Sequence, residues 1–184
     1  MIILNNIGKN IKGKIWIDEL PDIIFNGDTT TKNEIKTSCK SLWDERSIVL
    51  ELCLPRNNSN YALLGVEYYP IRKDEIIEVQ IEVSKKKTVI YNSSIAMAIE
   101  KTYVGILPEY AEAINKTLSN YLVSCECVPS GKLIFRIGAH GEIGSSKGLF
   151  SMMTKVVILL LTKNLTDIKN EEIQKLVKEA IKSN

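Results

Sequence analysis

The clearest period in the chain lies between residues 76 and 83, where Ile77, Val79, Ile81 and Val83 alternate with Glu78, Gln80 and Glu82. A repeat of two places apolar side chains on one face and polar ones on the other, as in an antiparallel strand with one wet face. Residues 47–55 read as an apolar strand ended by Pro55, and 61–70 as another closed by Pro70. "VSCECV" (123–128) and "KLIFRI" (132–137) read as further strands, with shorter candidates at 14–18, 22–25 and 88–91. The polar stretch 26–38, rich in Asn, Asp, Gly and Thr, reads as an exposed loop, and 56–60 and 84–87 as turns.

Helical spacing takes over in the second half. Leu107, Ala111, Ile114 and Leu118 share one face of a helix predicted over 108–122, with Pro108 at its first position and Glu109 near the positive end of its dipole. Leu149, Phe150, Met152, Met153, Val156, Val157, Leu160 and Leu161 form a wide stripe on a second helix, 145–163. A narrower stripe of Ile173, Leu176, Val177, Ala180 and Ile181 marks a third, with Asn170 as its N-cap. The predicted fold class is α+β, a single domain with a mostly antiparallel sheet and helices on one face. Within it, 1–46 is an irregular or β-rich part, 47–163 the core, and 167–182 a C-terminal amphipathic helix.

Composition narrows the function classes. A 184-residue chain with 45% hydrophobic and 25% charged residues has the make-up of an ordinary globular domain. The formal net charge of +2 supplies no whole-molecule field toward nucleic acid or an anionic membrane. The apolar run at 148–162 is shorter than the roughly 18 residues a bilayer span needs and contains Lys155, so a buried helix is expected. The first sixteen residues lack an unbroken apolar core and a cleavage site, and are not read as a signal peptide. With one histidine and the cysteines at 39, 53, 125 and 127, no zinc-ligand spacing occurs. Free thiols in a reducing cytoplasm are expected, with no cofactor and no metal.

The chemistry concentrates in "RIGAHGEIGSSKGLF", residues 136–150. It holds His140, flanked by Gly138, Gly141 and Gly144, and then Ser145 and Ser146 before the apolar helix. Glycines permit close backbone approach, and either serine suits the helix cap, whose free N–H groups are a potential anion site. The spacing is neither GxxxxGK[ST] nor a strict GxGxxG, which favours a strand-to-helix turn over a phosphate cradle. His140 with Ser145 or Ser146, and Glu142 or Asp44 as third member, would make a Ser–His triad only if folding assembled them. A second polar cluster, Arg56, Asn57 and Asn58 beside Tyr61, suits phosphate or base contacts, and Lys85, Lys86 and Lys87 suit a basic patch.

Residues 104–162 resemble the fourth domain of translation elongation factor G. "GILPEYAEAINKTL" is similar to its first helix, and "KLIFRIGAHGEIGSSKGLFSMM" to its strand, tip loop and second helix, with His140, Ser145, Ser146 and Phe150 in matching places. The likeness implies a ribosomal-protein-like fold (ribosomal protein domain 2-like) with a left-handed βαβ crossover, and a histidine loop that reaches an RNA partner. The chain departs from the pattern at Gly144, where the family has an acidic residue, and lacks a P-loop. The Ser-Ser loop is also faintly similar to that of galactokinase and homoserine kinase type enzymes, which implies the alternative of a phosphate-binding enzyme. The reading taken forward is a non-catalytic cytoplasmic binding module that presents the His140 loop to RNA or the ribosome, or to another protein. Its expected binding residues are His140, Gly141, Gly144, Ser145, Ser146, Arg56, Asn57 and Asn58.

Overall fold

In the computed structural model the elements run β1 (Ile2–Leu4), β2 (Lys12–Ile17), β3 (Thr29–Lys36), β4 (Arg46–Leu54), β5 (Asn60–Pro70), β6 (Ile76–Val83), β7 (Thr102–Val104), α1 (Pro108–Cys125), β8 (Gly131–Gly141), α2 (Lys147–Leu161) and α3 (Asn170–Lys182). The structure describes residues 1–5, 7–23, 27–39, 43–55, 60–71, 75–87, 89–125, 128–163, 165 and 168–182. The strands form one sheet in the order β1-β2-β4-β5-β8-β6-β3, with β7 paired to β8 off this path. Every pairing is antiparallel except β6 with β8, which α1 separates in sequence. The architecture is therefore mixed α+β with a mostly antiparallel sheet.

Alternation along β4 and β5 divides the core between two faces. Ile48, Leu50, Leu52, Ala62, Leu64 and Val66 point toward the helices and join Phe150, Met153, Val157 and Ile114 in the larger cluster. Val49, Cys53, Tyr61 and Leu63 point the other way and pack with Trp16, Tyr91, Ala96, Val104, Ile137 and Ala139. This second cluster is covered by the strap at 84–101, whose Tyr91 N–H bonds Thr102 O at 2.8 Å. The helices cover one face and a non-helical strap covers part of the other.

Five expectations need correction. The polar stretch 26–38 is not an exposed loop, because residues 29–36 form β3, an edge strand whose side chains are mostly exposed. A strand wet on both sides shows no alternation. The strand expected at 123–128 does not form over 123–125, because α1 continues to Cys125; Leu122, buried one turn after Leu118, keeps the helical period. The strand expected at 22–25 is absent from its described residues, 22 and 23, and that at 88–91 reduces to a single bridge between Ile90 and Tyr103. Finally, β8 does not stop at 137 but runs to Gly141, so His140 belongs to a strand.

The smaller shifts are local. Asn170, the expected cap, is instead the first residue of α3, and the cap position falls one place earlier at Lys169, whose carbonyl accepts the Ile173 N–H at 3.2 Å. Cys53 is a buried free thiol and Cys39 a half-buried one. Among the described residues no helix is long and apolar enough to cross a membrane.

Candidate functional site: the end of the sheet around residues 141–146

Three connections emerge at one end of the sheet. β6 runs parallel to β8, so 84–87 leaves the sheet where β8 ends. β5 runs antiparallel to β8 with Ala62 opposite His140, so Leu54 and Asn60, which flank the β4–β5 connection, lie at that end too. The residues that flank both sequence clusters thus lie at the same end of the scaffold. Arg56, Asn57 and Asn58 themselves lie outside the described residues.

His140 does not project from this end. An irregularity in the β5–β8 register, where Gly65 opposes Ile137 but Glu67 opposes Ile134, gives β8 one residue more than β5 over this stretch. An extra residue reverses the side-chain alternation beyond it. Leu133 and Phe135 accordingly face the helices, Ile137 and Ala139 face the strap, and His140 returns to the helix side, completely buried. There the ring lies 5.8 Å from that of Tyr110, which stacks on Phe150 at 4.3 Å, while Tyr103 sits 6.0 Å away. Nδ1 is 3.0 Å from Gly105 O, which assigns the proton to Nδ1, and Nε2 is buried with no protein partner. Burial lowers the pKa below the usual 6.5, opposed in part by the Gly105 contact, and keeps the ring neutral. The expected exposed recognition histidine is a core residue.

The serines are occupied in shaping the turn. Ser145 Oγ accepts the Gly141 N–H at 2.8 Å and donates to the carbonyl of Tyr61. Ser146 caps α2, its Oγ accepting the Leu149 N–H at 3.2 Å. Glu142 is exposed at the tip and Asp44 precedes β4 at the opposite end of the sheet, so the triad considered from sequence is not assembled. Two amides of the loop before α2 are also engaged. Glu100 Oε2 accepts the N–H groups of Ile143 at 3.0 Å and Gly144 at 3.1 Å. Gly141 lies so close to that carboxylate that a Cβ there would collide with it. The strap's own carboxylate thus sits on these loop amides.

Beside Glu142, what remains outside is apolar and basic. Ile143 is 75% exposed at the tip, and Met97 and Ile99 are exposed in the turn that Glu100 ties to it. Val89 and Ile90 are exposed further along the strap. Lys85, Lys86 and Lys101 are exposed at the same end, and Lys87 donates to Glu142 O at 3.1 Å.

Sequence reasoning missed Glu51 and Glu100. Glu51 is fully buried on the strap face, accepting from Tyr61 Oη at 2.9 Å and the Ile95 N–H at 3.1 Å, with Lys14 Nζ 3.7 Å from its other oxygen. Desolvation raises its pKa above 4.5, against the lowering effect of those donors. A lone carboxylate within "IVLELCL" was the available signal; Glu100 offered none. An open groove of about 600 Å³ also runs between α1 and α2, bordered by Lys116, Lys147 and Lys155, with Glu112 paired to Lys147 at 2.8 Å. No group of His, Cys, Asp and Glu among the described residues is arranged to hold a metal. Comparison of the chain with models of protein families, with curated proteins and with solved structures finds no match.

Proposed function

We propose that this chain is a non-catalytic binding module that docks a protein partner on the 141–146 tip. One observation carries the reading: Ile143 is held 75% exposed on a turn fixed by backbone hydrogen bonds to Glu100, Ser145 and Ser146. A fixed apolar tip loses little conformational freedom on binding, which is how pre-organised loops gain affinity. The nearby Met97 and Ile99 suit an apolar partner pocket, and Lys85, Lys86 and Lys101 suit an acidic rim.

The likeness to the fourth domain of elongation factor G enters this proposal as a relation of fold, supported by the parallel β6–β8 pair joined through α1. In that light RNA is the second reading, favoured by the exposed lysines. A cytoplasmic site of action belongs to the same proposal. The phosphate-binding enzyme recedes, because Glu100 occupies the loop amides and His140 has no access to a substrate.

The test is capture from lysate of the source cells at low and high salt, with Ile143→Asp and a variant neutralised at Lys85, Lys86 and Lys87. A salt-resistant protein lost with Ile143→Asp is expected. Ribosomal RNA recovered only at low salt and lost with the lysine variant would replace the protein reading with the RNA one.

A further inference from the structure

The β3 edge carries an inference separate from the tip. Among the described residues β3 has a neighbour on one side only, β6, so eight residues end the sheet with a free edge. Such a row of outward N–H and C=O groups, in which the Glu34 N–H is held by Asn33 Oδ1 at 2.9 Å until a partner strand replaces it, is a template for another strand unless charges or covering elements block it. The opposite edge, β1, is only three residues long.

The side chains of β3 say which strand would fit. The sequence over 29–36 is Thr-Thr-Thr-Lys-Asn-Glu-Ile-Lys, with β-branched residues at four of eight positions. Asn33 faces α1, donating to Asn115 Oδ1 at 3.0 Å, and Ile35 is buried in the helix-side core. Lys32 and Glu34, each one residue from Asn33, share the other face, which the strap cluster does not reach. Across β6, Lys32 opposes Gln80 and Glu34 opposes Glu78. Like charges directly opposite are unfavourable in a sheet; Glu78 is opposed in turn by Lys132 on β8, whereas Glu34 has no cation directly opposite it on β6.

An antiparallel two-fold pairing centred on Asn33 supplies that cation. It sets Lys32 opposite Glu34 of a second copy and Glu34 opposite its Lys32, so one contact yields two complementary pairs. A register centred on Lys32 or Glu34 would instead place like charges face to face. The same edge of α1 carries Asn115, Ser119 and Val123 at intervals of four, and Val123 is 66% exposed. We propose that the chain forms a two-fold dimer by pairing β3 with β3 of a second copy in the Asn33-centred register, extending the sheet across the axis.

Sedimentation equilibrium of the full chain at about 0.1 mM, a concentration suited to a small interface, tests this. A mass of twice 20.7 kDa is expected. Lys32→Glu and Glu34→Lys singly place like charges opposite and should each weaken association about tenfold. The double exchange, Lys32→Glu with Glu34→Lys, restores opposite charges and should restore the dimer. Circular dichroism confirms that each variant is folded. A monomeric wild-type chain, a dimer indifferent to the single changes, or a double variant no better than the singles would overturn the proposal. A β3 edge that serves a strand of a different protein would appear as the first of these.

Discussion

Tyr61 donates its hydroxyl to Glu51 across 2.9 Å in a layer of the molecule where both side chains are shut off from solvent. Because desolvation raises the Glu51 pKa, the folded chain holds its proton more tightly than the unfolded chain does. The penalty for the charged form is fully present above the folded pKa and is relieved as pH falls through it toward 4.5. Glu51→Gln keeps an acceptor for Tyr61 and Ile95 without the buried charge. It should be about 1 kcal/mol more stable than the parent at pH 8 and equal to it near pH 4, read from melting temperatures. A variant less stable than the parent at pH 8 would mean that the Lys14 pairing outweighs desolvation.

His140 has the opposite sign. Its folded pKa lies below 6.5, so stability is lost as pH falls from 6.5 toward the folded value, while the unfolded chain takes up the proton. The chain's only histidine gives one imidazole signal. Nitrogen-resolved NMR should show a neutral ring protonated at Nδ1 and no titration at 6.5. Signals that titrate at 6.5 would contradict the burial. His140→Ala should cost about 3 kcal/mol by leaving a cavity beside Tyr110.

Glu100 gives the tip its fixed shape. Glu100→Ala leaves the amides of Ile143 and Gly144 without their acceptor and should cost about 2 kcal/mol. Hydrogen exchange at those two amides should accelerate far more than exchange in β5. Gly141→Ala should reproduce the effect, since its Cβ displaces the same carboxylate. Unchanged exchange in both variants would show that the turn holds itself.

The start of α2 offers a pair of changes in opposite directions. Ser146→Ala removes the cap on Leu149 and should cost about 1 kcal/mol. Gly148→Ala adds a methyl group at ordinary contact distance, 4.0 Å, from Ser146 Oγ on the same turn and should stabilise by about 0.5–1 kcal/mol. Denaturant unfolding of the two variants measures both.

The elements visible in the sequence were those whose neighbours are uniform along their length. β6 alternates because one face meets the core and the other does not, and α2 carries a wide stripe because it presses on the sheet. β3 was hidden because both its faces are wet over most of its length. The last turns of β8 were hidden because Gly138 and Gly141 read as a loop, whereas they are small to admit Ile106 and Glu100. At the site, the Ser146 cap was legible from local residues alone. The burial of His140 was not, since it depends on one extra residue in β8 and on rings at 103 and 110. Nor was the Glu100 contact, which joins residues more than forty positions apart.

The place of β8 in the sheet has a consequence for the order of assembly. β1, β2, β4 and β5 pair among themselves, and β3 pairs with β6, but among the described residues the two groups are joined in the sheet only through β8. A chain emerging from its N-terminus therefore holds the strands of both groups, but not the strand that connects them, until residues 131–141 arrive. The joining step closes long loops, the slow kind of contact to form. In pulse-labelled refolding, β4 and β5 amides should gain protection first, and those of β6 only together with β8. Protection of β6 ahead of β8 would mean that the β3–β6 ribbon stands alone, with both edges briefly open to other chains.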